Sequence, residues 1–465
     1  MAMLRHLLAC TCVAALRLPA PLRRNPQQRQ KPKVAVLGGG FAGLTAARRL
    51  KNNRAIGEVI LLEQKHYFEY TPGILRAWVD AHEHRRLVKP LAKLFRGRRA
   101  TFARVAPGAA AKITHADDAL TLDVGAAGSD GHVSIRCDYA VLATGASLAP
   151  ISDDRLHAGS VAARRERLEA QIADVLRPNV TSALIVGGGL TGVELAAELA
   201  EYFGNGSRQP LATLAAPVGA AAGATADASA RVTLCVGPDP VAGLLPGFAD
   251  CVAARRYAAE HLAARGVRVL ESWAVPPPDG GGAVATSVPA GNGAIPAAGA
   301  WDAAGAARDL RGDAVFDCRG LRPSAAFGDD GLPPGCVGPR GWVAVDDSWR
   351  LADGAGNAVF DGRVYVVGDV ADKPPAQRTA VDAAEEGEYA AACIARHARG
   401  RRPPKPYAPP PSVCAISLGK RDGVVVAGSR VLLRGRAAAA AKGAVQYWAV
   451  RFLPKPVTVW RRARR

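Results

Sequence analysis

Two segments of this chain repeat one pattern, VAVLGGGFAGLTAARRL at residues 34–50 and ALIVGGGLTGVELAAEL at residues 183–199. Each begins with a short apolar run without alternation, which is typical of a parallel strand buried on both faces. Each continues with three glycines at G-x-G-x-x-G spacing and then with a helical run. Strand, glycine turn and helix in this order form the phosphate-binding part of a βαβ unit. The sequence therefore predicts two dinucleotide-binding units in one chain.

The first unit carries every part of such a site. Gly38 permits the tight turn, Gly40 lets a pyrophosphate approach the backbone, and Gly43 lets the helix pack closely on the strand. The helix that follows directs its N-terminal N–H groups and its dipole at the phosphates. A second apolar strand, EVILLEQ, brings Glu63 to its end, where a carboxylate accepts hydrogen bonds from the ribose hydroxyls.

The second unit has the glycines but lacks the carboxylate. Gly187, Gly189 and Gly192 repeat the spacing, whereas the next strand, RVTLCVG, ends in Val236-Gly237. There is no acid to repel a 2′-phosphate and no Arg directly after it to bind one, so NADH and NADPH both remain open. Two sites in one chain predict a permanently held FAD and a visiting NAD(P)H, with the flavin accepting the hydride.

Further segments are expected near the first nucleotide. The aromatic stretch KHYFEYTPGILRAWVD, directly after Glu63, predicts a loop and short helix lying over the cofactor. The run DYAVLATGA predicts a buried strand that ends in a tight turn at Thr144-Gly145, where backbone can touch a nucleotide. The run RVYVVGDVAD predicts another buried strand, ending at Gly368-Asp369, and the segment that follows it reads as a helix.

Basic residues concentrate at the two ends of the chain. The net charge is +19, of which residues 1–33 contribute +7 and residues 396–465 contribute +16, so the body between them carries −4. The acid-free, Arg-containing N-terminus with the apolar run LLACTCVAAL predicts a leader. Either a mitochondrial transit peptide or a signal-type leader fits it, and the latter would also suit a plastid of secondary origin. No run of 18 apolar residues follows, so no membrane-spanning helix is expected.

Cysteines and histidines predict neither a dithiol nor a metal centre. Of the nine cysteines only Cys10 and Cys12 are close in sequence, and they lie in the leader. The first glycine loop is followed by no C-x-x-C, which argues against a disulfide reductase. His82, Glu83 and His84 are metal-ligand types, but no further ligand cluster accompanies them. A solvated polar turn is therefore the favoured interpretation, and no metal is expected.

In the order glycine loop, ATG strand, second glycine loop and G-D strand, the chain resembles the FAD/NAD(P)-dependent pyridine-nucleotide oxidoreductases. HYFEYTPGILRA, GGGLTGVELAAELAEYF, LLPGF, YVVGDVAD and PPAQRTAVDAAEEGEYAA resemble the type II (non-pumping) NADH:quinone oxidoreductases. FDCRGLRPS and SLGKRDGVV resemble apoptosis-inducing-factor-like flavoproteins, including the ferroptosis-suppressor type. The resemblance spans residues 33–430 and implies hydride transfer from NAD(P)H to FAD, with the electrons passing on to a quinone-type acceptor.

The resemblance also implies the architecture. We expect an α/β fold with two Rossmann-like dinucleotide-binding domains, the NAD(P) domain being inserted into the FAD domain, and a C-terminal basic membrane-associating element. The expected divisions are a leader at 1–32, a discontinuous FAD domain at 33–150 and 310–400, an NAD(P)H domain at 151–309, and a C-terminal region at 401–465. Gly-, Ala- and Pro-rich stretches at 204–230 and 276–308 are expected to be surface insertions.

Residue by residue, the resemblance implies two cofactor sites. The FAD contacts would come from Gly38, Gly40, Gly43, Glu63, Thr144, Gly145, Gly368 and Asp369. The NAD(P)H contacts would come from Gly187, Gly189 and Gly192. Glu194 matches a glutamate near the nicotinamide and the flavin ring. A salt-bridged residue on the first turn of the helix is the alternative for Glu194.

The acceptor site departs from the family pattern. Gln377 matches the Ala-Gln at the start of the helix that lines the quinone pocket, but Glu385-Glu386 stand where the family shows paired glutamines. Reducing a quinone consumes two protons, so a polar group near the acceptor would help. Gln377, Glu385 and Lys420 are the candidates for that group, alongside Glu194 as a catalytic residue.

The C-terminal segment points to a charged surface. Trp448, Phe452 and Trp460 interleave with Arg451, Lys455 and the closing RRARR, a mixture that suits an anionic bilayer surface. A nucleic-acid-binding tail of the apoptosis-inducing-factor kind is the alternative, and a merely solvated tail is a third interpretation. A soluble NAD(P)H reductase for another acceptor, such as a small protein, also remains open. A homodimer is a further possibility for the assembly.

Overall fold

The computed structural model describes residues 31–106, 110–125, 132–147, 160–175, 180–206, 231–237, 243–271, 312–324, 326–327, 330–374, 378–409 and 413–452. The leader up to residue 30, the insertion at 276–308, most of the insertion at 204–230, Gln377 and the chain beyond residue 452 lie outside the described residues.

Nineteen strands and eight α-helices occur within those ranges. The strands are β1 (Lys33–Leu37), β2 (Glu58–Glu63), β3 (Tyr67–Glu69), β4 (Val88–Pro90), β5 (Ala100–Arg104), β6 (Ala111–Ala116), β7 (Ala119–Gly125), β8 (His132–Cys137), β9 (Tyr139–Leu142), β10 (Ala146–Ser147), β11 (Ala183–Val186), β12 (Val232–Cys235), β13 (Val267–Leu270), β14 (Ala314–Asp317), β15 (Arg322–Pro323), β16 (Val364–Val366), β17 (Val413–Ser417), β18 (Gly423–Ala427) and β19 (Arg430–Arg434). The helices are α1 (Phe41–Lys51), α2 (Ile74–Ala77), α3 (Leu91–Leu94), α4 (Val161–Val175), α5 (Leu190–Gly206), α6 (Val252–Ala264), α7 (Ala380–His397) and α8 (Gly435–Phe452).

The first sheet is parallel, with strand order β16-β9-β1-β2-β5. β1 lies at its centre, where Val36 pairs with Leu61 on one side and with Val141 on the other. Because both faces of this strand are covered, its sequence is continuously apolar, as predicted. α7 packs directly on α1, since a Cβ added at Gly387 would overlap the carbonyl of Ala42.

The second sheet repeats this plan with the order β13-β12-β11-β14, and all its strands are parallel. The chain leaves the first sheet after β9, builds β11 to β14, and returns to the first sheet as β16. This topology confirms that the second dinucleotide domain is inserted into the first.

One strand was expected in the wrong sheet. The sequence assigned residues 310–400 to the FAD domain, but β14 pairs in parallel with β11, with Phe316 beside Ile185. The stretch 314–317 therefore belongs to the second sheet. The return to the first domain comes only afterwards, where β15 pairs in antiparallel fashion with β10.

The C-terminal segment is folded. β17, β18 and β19 form an antiparallel sheet, and α8 packs on it through Ala438, which is fully covered near Gly423. The basic tail expected around Tyr447 and Trp448 is thus a helix up to residue 452. Its Ala-rich first half has high helix propensity, a signal that the charge pattern obscured. None of the described helices is long and apolar enough to cross a bilayer.

Candidate dinucleotide sites

In the first glycine turn, between β1 and α1, the three glycines differ in what a Cβ atom would meet at each position. Gly38 has φ +104°, and a Cβ there would overlap the carbonyl oxygen of Ala143. A Cβ at Gly43 would overlap the carbonyl oxygen of Gly38, so helix and strand approach too closely for any side chain. A Cβ at Gly40, the N-cap of α1, would meet no protein atom within 4 Å. The space beside Gly40 is open to a ligand.

Glu63 braces this turn from the end of β2. Its side chain is buried, and one carboxylate oxygen accepts a hydrogen bond from the N–H of Gly39. The other oxygen accepts from the N–H of Lys65 at 3.1 Å. The predicted carboxylate therefore lies directly against the predicted glycine turn. Its contact with a ribose stays a prediction.

The ends of β9 and β16 bring two further predicted pairs to the same edge of the first sheet. Gly145 has φ +77° with open space where a Cβ would point, and Gly368 has φ +79°. Burial raises the pKa of Asp369 above its usual range, although the charges of Lys373 and Arg378 act in the opposite direction.

Two buried polar atoms at this edge have no hydrogen-bond partner within the described residues. They are Thr144 Oγ1 and Asp369 Oδ1, the latter with Lys373 Nζ as an ion-pair partner at 3.8 Å. Buried polar groups are rarely left unpaired in native proteins, so a bound polar ligand is the expected partner. Open space at Gly40 and Gly145 together with these two orphaned atoms fits a dinucleotide lying along the edge.

The second glycine turn, between β11 and α5, reproduces the backbone of the first. Gly187 has φ +115°, and a Cβ there would crowd the carbonyl group of Cys318. A Cβ at Gly192 would overlap the carbonyl oxygen of Gly187, whereas a Cβ at Gly189 would meet nothing within 4 Å. The two turns thus share one strained, one open and one crowded glycine position.

The two turns differ at the residue that supports them. Val236, just after β12, is buried, and its Cγ1 lies 2.6 Å from the place where a Cβ of Gly188 would be. The carbonyl of Gly188 accepts a hydrogen bond from the N–H of Leu245 at 2.7 Å. An apolar side chain and a returning loop therefore occupy the place that Glu63 takes in the first unit.

Glu194 lies near the start of α5, at its fifth residue, and is buried. Its Oε1 accepts hydrogen bonds from Lys442 Nζ at 2.5 Å and from the Ser417 N–H at 2.7 Å. Within the described residues, the Glu194 side chain is therefore salt-bridged, which is the alternative to a role beside the nicotinamide. A role beside the nicotinamide stays a prediction.

The acceptor candidates are not brought together by the described contacts. Gln377 lies outside the described residues. Glu385 is buried within α7. The Lys420 side chain is exposed, and its backbone N–H donates to Glu201 at 2.7 Å, two helical turns beyond Glu194.

Sequence reasoning gave no role to Glu386. This fully buried carboxylate accepts hydrogen bonds from Lys373 Nζ at 2.6 Å and from the Gly368 N–H at 2.7 Å. Burial raises its pKa to about 7, against the opposing charge of Lys373. Glu386, the second glutamate of the Glu-Glu pair, thus stabilises the Gly368-Asp369 turn. The sequence signal that could have identified this role is that Glu385-Glu386 stand where the family shows paired glutamines.

A buried ionic cluster corrects the interpretation of His84. The side chain was expected in a solvated turn, but it is fully buried and its Nε2 lies 2.7 Å from Glu69 Oε1. Arg164 Nε donates to the same oxygen at 3.1 Å. Burial alone would raise the pKa of Glu69, but the His84 hydrogen bond and the Arg164 charge hold it well below its usual range. No group of three or more metal-ligating side chains occurs in the part of the chain that the structure describes.

Two parallel sheets, the second inserted into the first and each with a glycine turn at its edge, define a flavoprotein that handles two dinucleotides. The chain belongs to the pyridine nucleotide-disulphide oxidoreductase family, whose model matches residues 32–387. Its cofactors are FAD and NAD(P)H, as the sequence predicted.

Curated relatives resemble part of the chain. The external alternative NADH-ubiquinone oxidoreductase of Yarrowia lipolytica mitochondria is 24% identical over 201 residues, which cover 39% of this chain and 34% of that protein. The external alternative NAD(P)H-ubiquinone oxidoreductase B2 of Arabidopsis thaliana mitochondria is 27% identical over 197 residues, 37% of this chain and 32% of that one. The chain thus spans about a third of the length of these relatives.

A solved structure shares the fold over almost the whole chain. NDH2 of Plasmodium falciparum, solved in complex with NADH, superposes with a TM-score of 0.63 and 14% identity, covering 93% of this chain and 99% of that chain. At this identity the likeness concerns the fold alone.

Proposed function

We propose that this protein is a non-electrogenic NAD(P)H:quinone oxidoreductase that works at a membrane surface. The observation that carries the proposal is a set of exposed apolar side chains on α8 and on β19, the strand before it. We call this set the C-terminal apolar patch; its members are Val445, Tyr447 and Trp448 on α8, and Leu432 and Leu433, which follow each other on β19 and so point to opposite sides of that strand. Trp448 is 60% exposed and Tyr447 is 55% exposed. Exposed Arg430 lies on β19 and exposed Arg436 lies on α8, so basic side chains accompany the apolar ones on both elements, which suits an anionic bilayer surface.

The inner side of α8 reaches the segment predicted to cover the flavin. Gln446 lies against Gly73, and Lys89 Nζ donates to the carbonyl of Arg451 at 2.5 Å. A helix whose outer face rests on lipid would therefore hold the flavin segment close to the bilayer. A lipid-soluble acceptor fits this arrangement better than a soluble one.

The proposed reaction oxidises NAD(P)H and reduces a quinone. When bound, FAD supplies the two-electron chemistry, so that NAD(P)H, one proton and quinone give NAD(P)+ and quinol. The chain contributes placement: open backbone at Gly40 and Gly189 for the two pyrophosphates, and the Thr144 hydroxyl and Asp369 carboxylate as hydrogen-bonding groups toward FAD. The names of the two curated relatives, both ubiquinone oxidoreductases, support the acceptor class.

We place the enzyme in the mitochondrion. Both curated relatives carry that location in their names, and the acid-free N-terminus suits import. A signal-type leader to a plastid or another organelle is the alternative. Fusing residues 1–32 to a fluorescent protein and imaging its location tests the two against each other.

Steady-state assays test the acceptor. The purified protein is supplied with NADH or NADPH and with a long-tailed ubiquinone in anionic liposomes, a short-tailed quinone, or ferricyanide. The proposal expects kcat/KM for the quinones to exceed that for the dye. Turnover with ferricyanide alone would contradict it and favour a soluble reductase of another acceptor.

Substitutions in the C-terminal apolar patch test the proposed membrane binding. Tyr447→Gln/Trp448→Gln should lower liposome binding about tenfold because two interfacial aromatics are lost, while ferricyanide reduction is unchanged. The matched control is Tyr202→Gln, an exposed tyrosine on α5. Point substitutions are preferable to truncation after residue 443, which would also remove Gln446 and Arg451. Unchanged sedimentation of the double variant with liposomes would contradict this surface.

The nucleic-acid alternative rests on the +16 charge of residues 396–465. It predicts sequence-independent DNA binding that weakens steeply with salt. An electrophoretic shift at low and physiological salt, with liposomes as competitor, separates it from membrane binding. DNA binding that liposomes do not displace would favour the alternative.

A further inference from the structure

Helix α5, which begins at the second glycine turn, carries a row of three acids. Glu194, Glu198 and Glu201 are spaced four and three residues apart and so share one face of the helix. Each is engaged by another part of the chain. Glu194 accepts from Lys442 of α8, Glu198 from Arg76 of α2, and Glu201 from the Lys420 N–H.

The Arg76–Glu198 pair is a contact between the first dinucleotide domain and this helix. Arg76 Nη2 lies 2.6 Å from Glu198 Oε1, and its Nε lies 3.1 and 3.2 Å from the two carboxylate oxygens. The Glu198 side chain is 5% exposed and that of Arg76 is 24% exposed. A guanidinium that grips both oxygens of a buried carboxylate fixes orientation as well as distance.

A second contact lies two residues further along the chain. The Trp78 ring meets the ring of Phe316, on β14 of the second sheet, edge to face at 5.8 Å. Both Trp78 and Phe316 are buried. The short segment around α2 therefore meets the second domain at one helix and at one strand, and both of these elements border the second glycine turn.

We propose that Arg76 is a positioning residue for hydride transfer: through Glu198 it fixes the second glycine unit relative to the flavin domain. α5 starts at the turn predicted to hold the NAD(P)H pyrophosphate, so a displacement of α5 would move the nicotinamide with it. Misplacing a reacting group by about 1 Å can slow a reaction roughly 100-fold. The inference rests on the FAD and NAD(P)H assignment and is independent of the quinone acceptor.

The test compares Arg76→Met and Glu198→Gln with a matched control, Arg86→Met. Arg86 also pairs with a glutamate, Glu83, at 2.7 Å, but within a single turn of the first domain. NADH is mixed anaerobically with FAD-loaded protein and no acceptor, and the limiting rate constant of flavin reduction is measured per bound FAD. We expect about a 100-fold loss for Arg76→Met and less than a twofold change for Arg86→Met.

A second readout does not depend on turnover. Hydrogen–deuterium exchange of the FAD-loaded protein without NADH should rise in α2 and in the first half of α5 for Arg76→Met, and not for the control. Arg76→Lys keeps the positive charge but loses the two-pronged guanidinium contact. It should therefore restore part of the flavin-reduction rate and part of the protection from exchange. Wild-type reduction rates per bound FAD together with wild-type exchange in α5 would overturn the proposal.

A reversed pair covers the case in which Arg76→Met folds poorly. Arg76→Glu/Glu198→Arg restores a bridge of opposite polarity and should bring the reduction rate to within about tenfold of wild type. If Arg76→Met/Glu198→Met is as fast as wild type, the single-variant defect reflects an unpaired buried charge and the positioning role is refuted. Loss of quinone reduction with unchanged flavin reduction would concern the acceptor proposal alone.

Discussion

The two glycine turns have similar backbones, but the side chain that packs beneath each turn differs: it is a carboxylate in the first unit and an apolar group in the second. In the first, the N–H of Gly39 donates to the buried carboxylate of Glu63. In the second, a methyl group of Val236 packs beneath Gly188. The glycines follow from steric demands that any phosphate-binding turn shares, whereas the residue after the second strand is free to vary. We therefore propose that the turn binds the pyrophosphate and that the residue beneath it selects the nucleotide.

The largest effects should come from the third glycine of each unit. Gly43→Ala and Gly192→Ala place a Cβ on a carbonyl oxygen, so each should lower the free energy of unfolding of its domain by roughly 3 kcal/mol or more. Thermal unfolding followed by circular dichroism measures this. Equal stability of either variant and wild type would show that helix and strand are not in close contact there.

The middle glycines should separate the two cofactors. Gly40→Val has room on the protein side, so the fold should persist while bound FAD falls to about a tenth or less, since the side chain occupies the pyrophosphate position. Gly189→Val should leave the protein yellow and raise the NADH KM about tenfold or more. Flavin absorbance per chain and steady-state kinetics measure both. A yellow Gly40→Val or a colourless Gly189→Val would reverse the assignment of the two units.

Replacing Val236, the residue beneath the second glycine turn, with an acid should change the preference between NADH and NADPH. Val236→Glu should shift the ratio of kcat/KM values toward NADH about tenfold, because a carboxylate there repels a 2′-phosphate. Val236→Gln, similar in size but uncharged, is the control for the loss of packing beneath Gly188. If the two variants shift the ratio equally, charge is not the cause and the ribose is recognised elsewhere.

The smallest expected effect concerns the orphaned hydroxyl of Thr144. Thr144→Val should weaken FAD binding by about 1 kcal/mol, the net value of one hydrogen bond, and should leave the stability of the FAD-free protein unchanged. The rate of FAD release on dilution measures it. A change in apoprotein stability without any change in FAD release would contradict the ligand-facing role.

Much of the dinucleotide architecture could be predicted because it is local. Strand, turn, helix and the acid at Glu63 lie within one βαβ unit, whose geometry ties their spacing to their positions. The same rule identified the second turn and the missing acid at Val236. The ATG and G-D turns could also be predicted to share an edge, since parallel strands bring their carboxyl ends together.

The remaining contacts depend on how distant segments pack. Arg76 and Glu198 are 122 residues apart, and Lys442 and Glu194 are 248 residues apart. No periodicity relates such pairs, because which acid meets which base is decided only when domains and the C-terminal helix close on one another. His84 shows the same principle: three polar residues in a row read as a solvated turn, and only the tertiary fold brings Glu69 and Arg164 to bury it.

The sequence by itself predicted the two glycine turns, the two dinucleotide cofactors and the buried strand before each turn, because steric rules for glycine and burial rules for strands operate within a few residues. Tertiary structure alone decided which sheet β14 joins, that α8 (Gly435–Phe452) packs on the C-terminal sheet, and which charged residues pair with the acids of α5. Those outcomes arise from the pairing of charges and apolar faces across long separations, where removal from water rather than local propensity selects the partner.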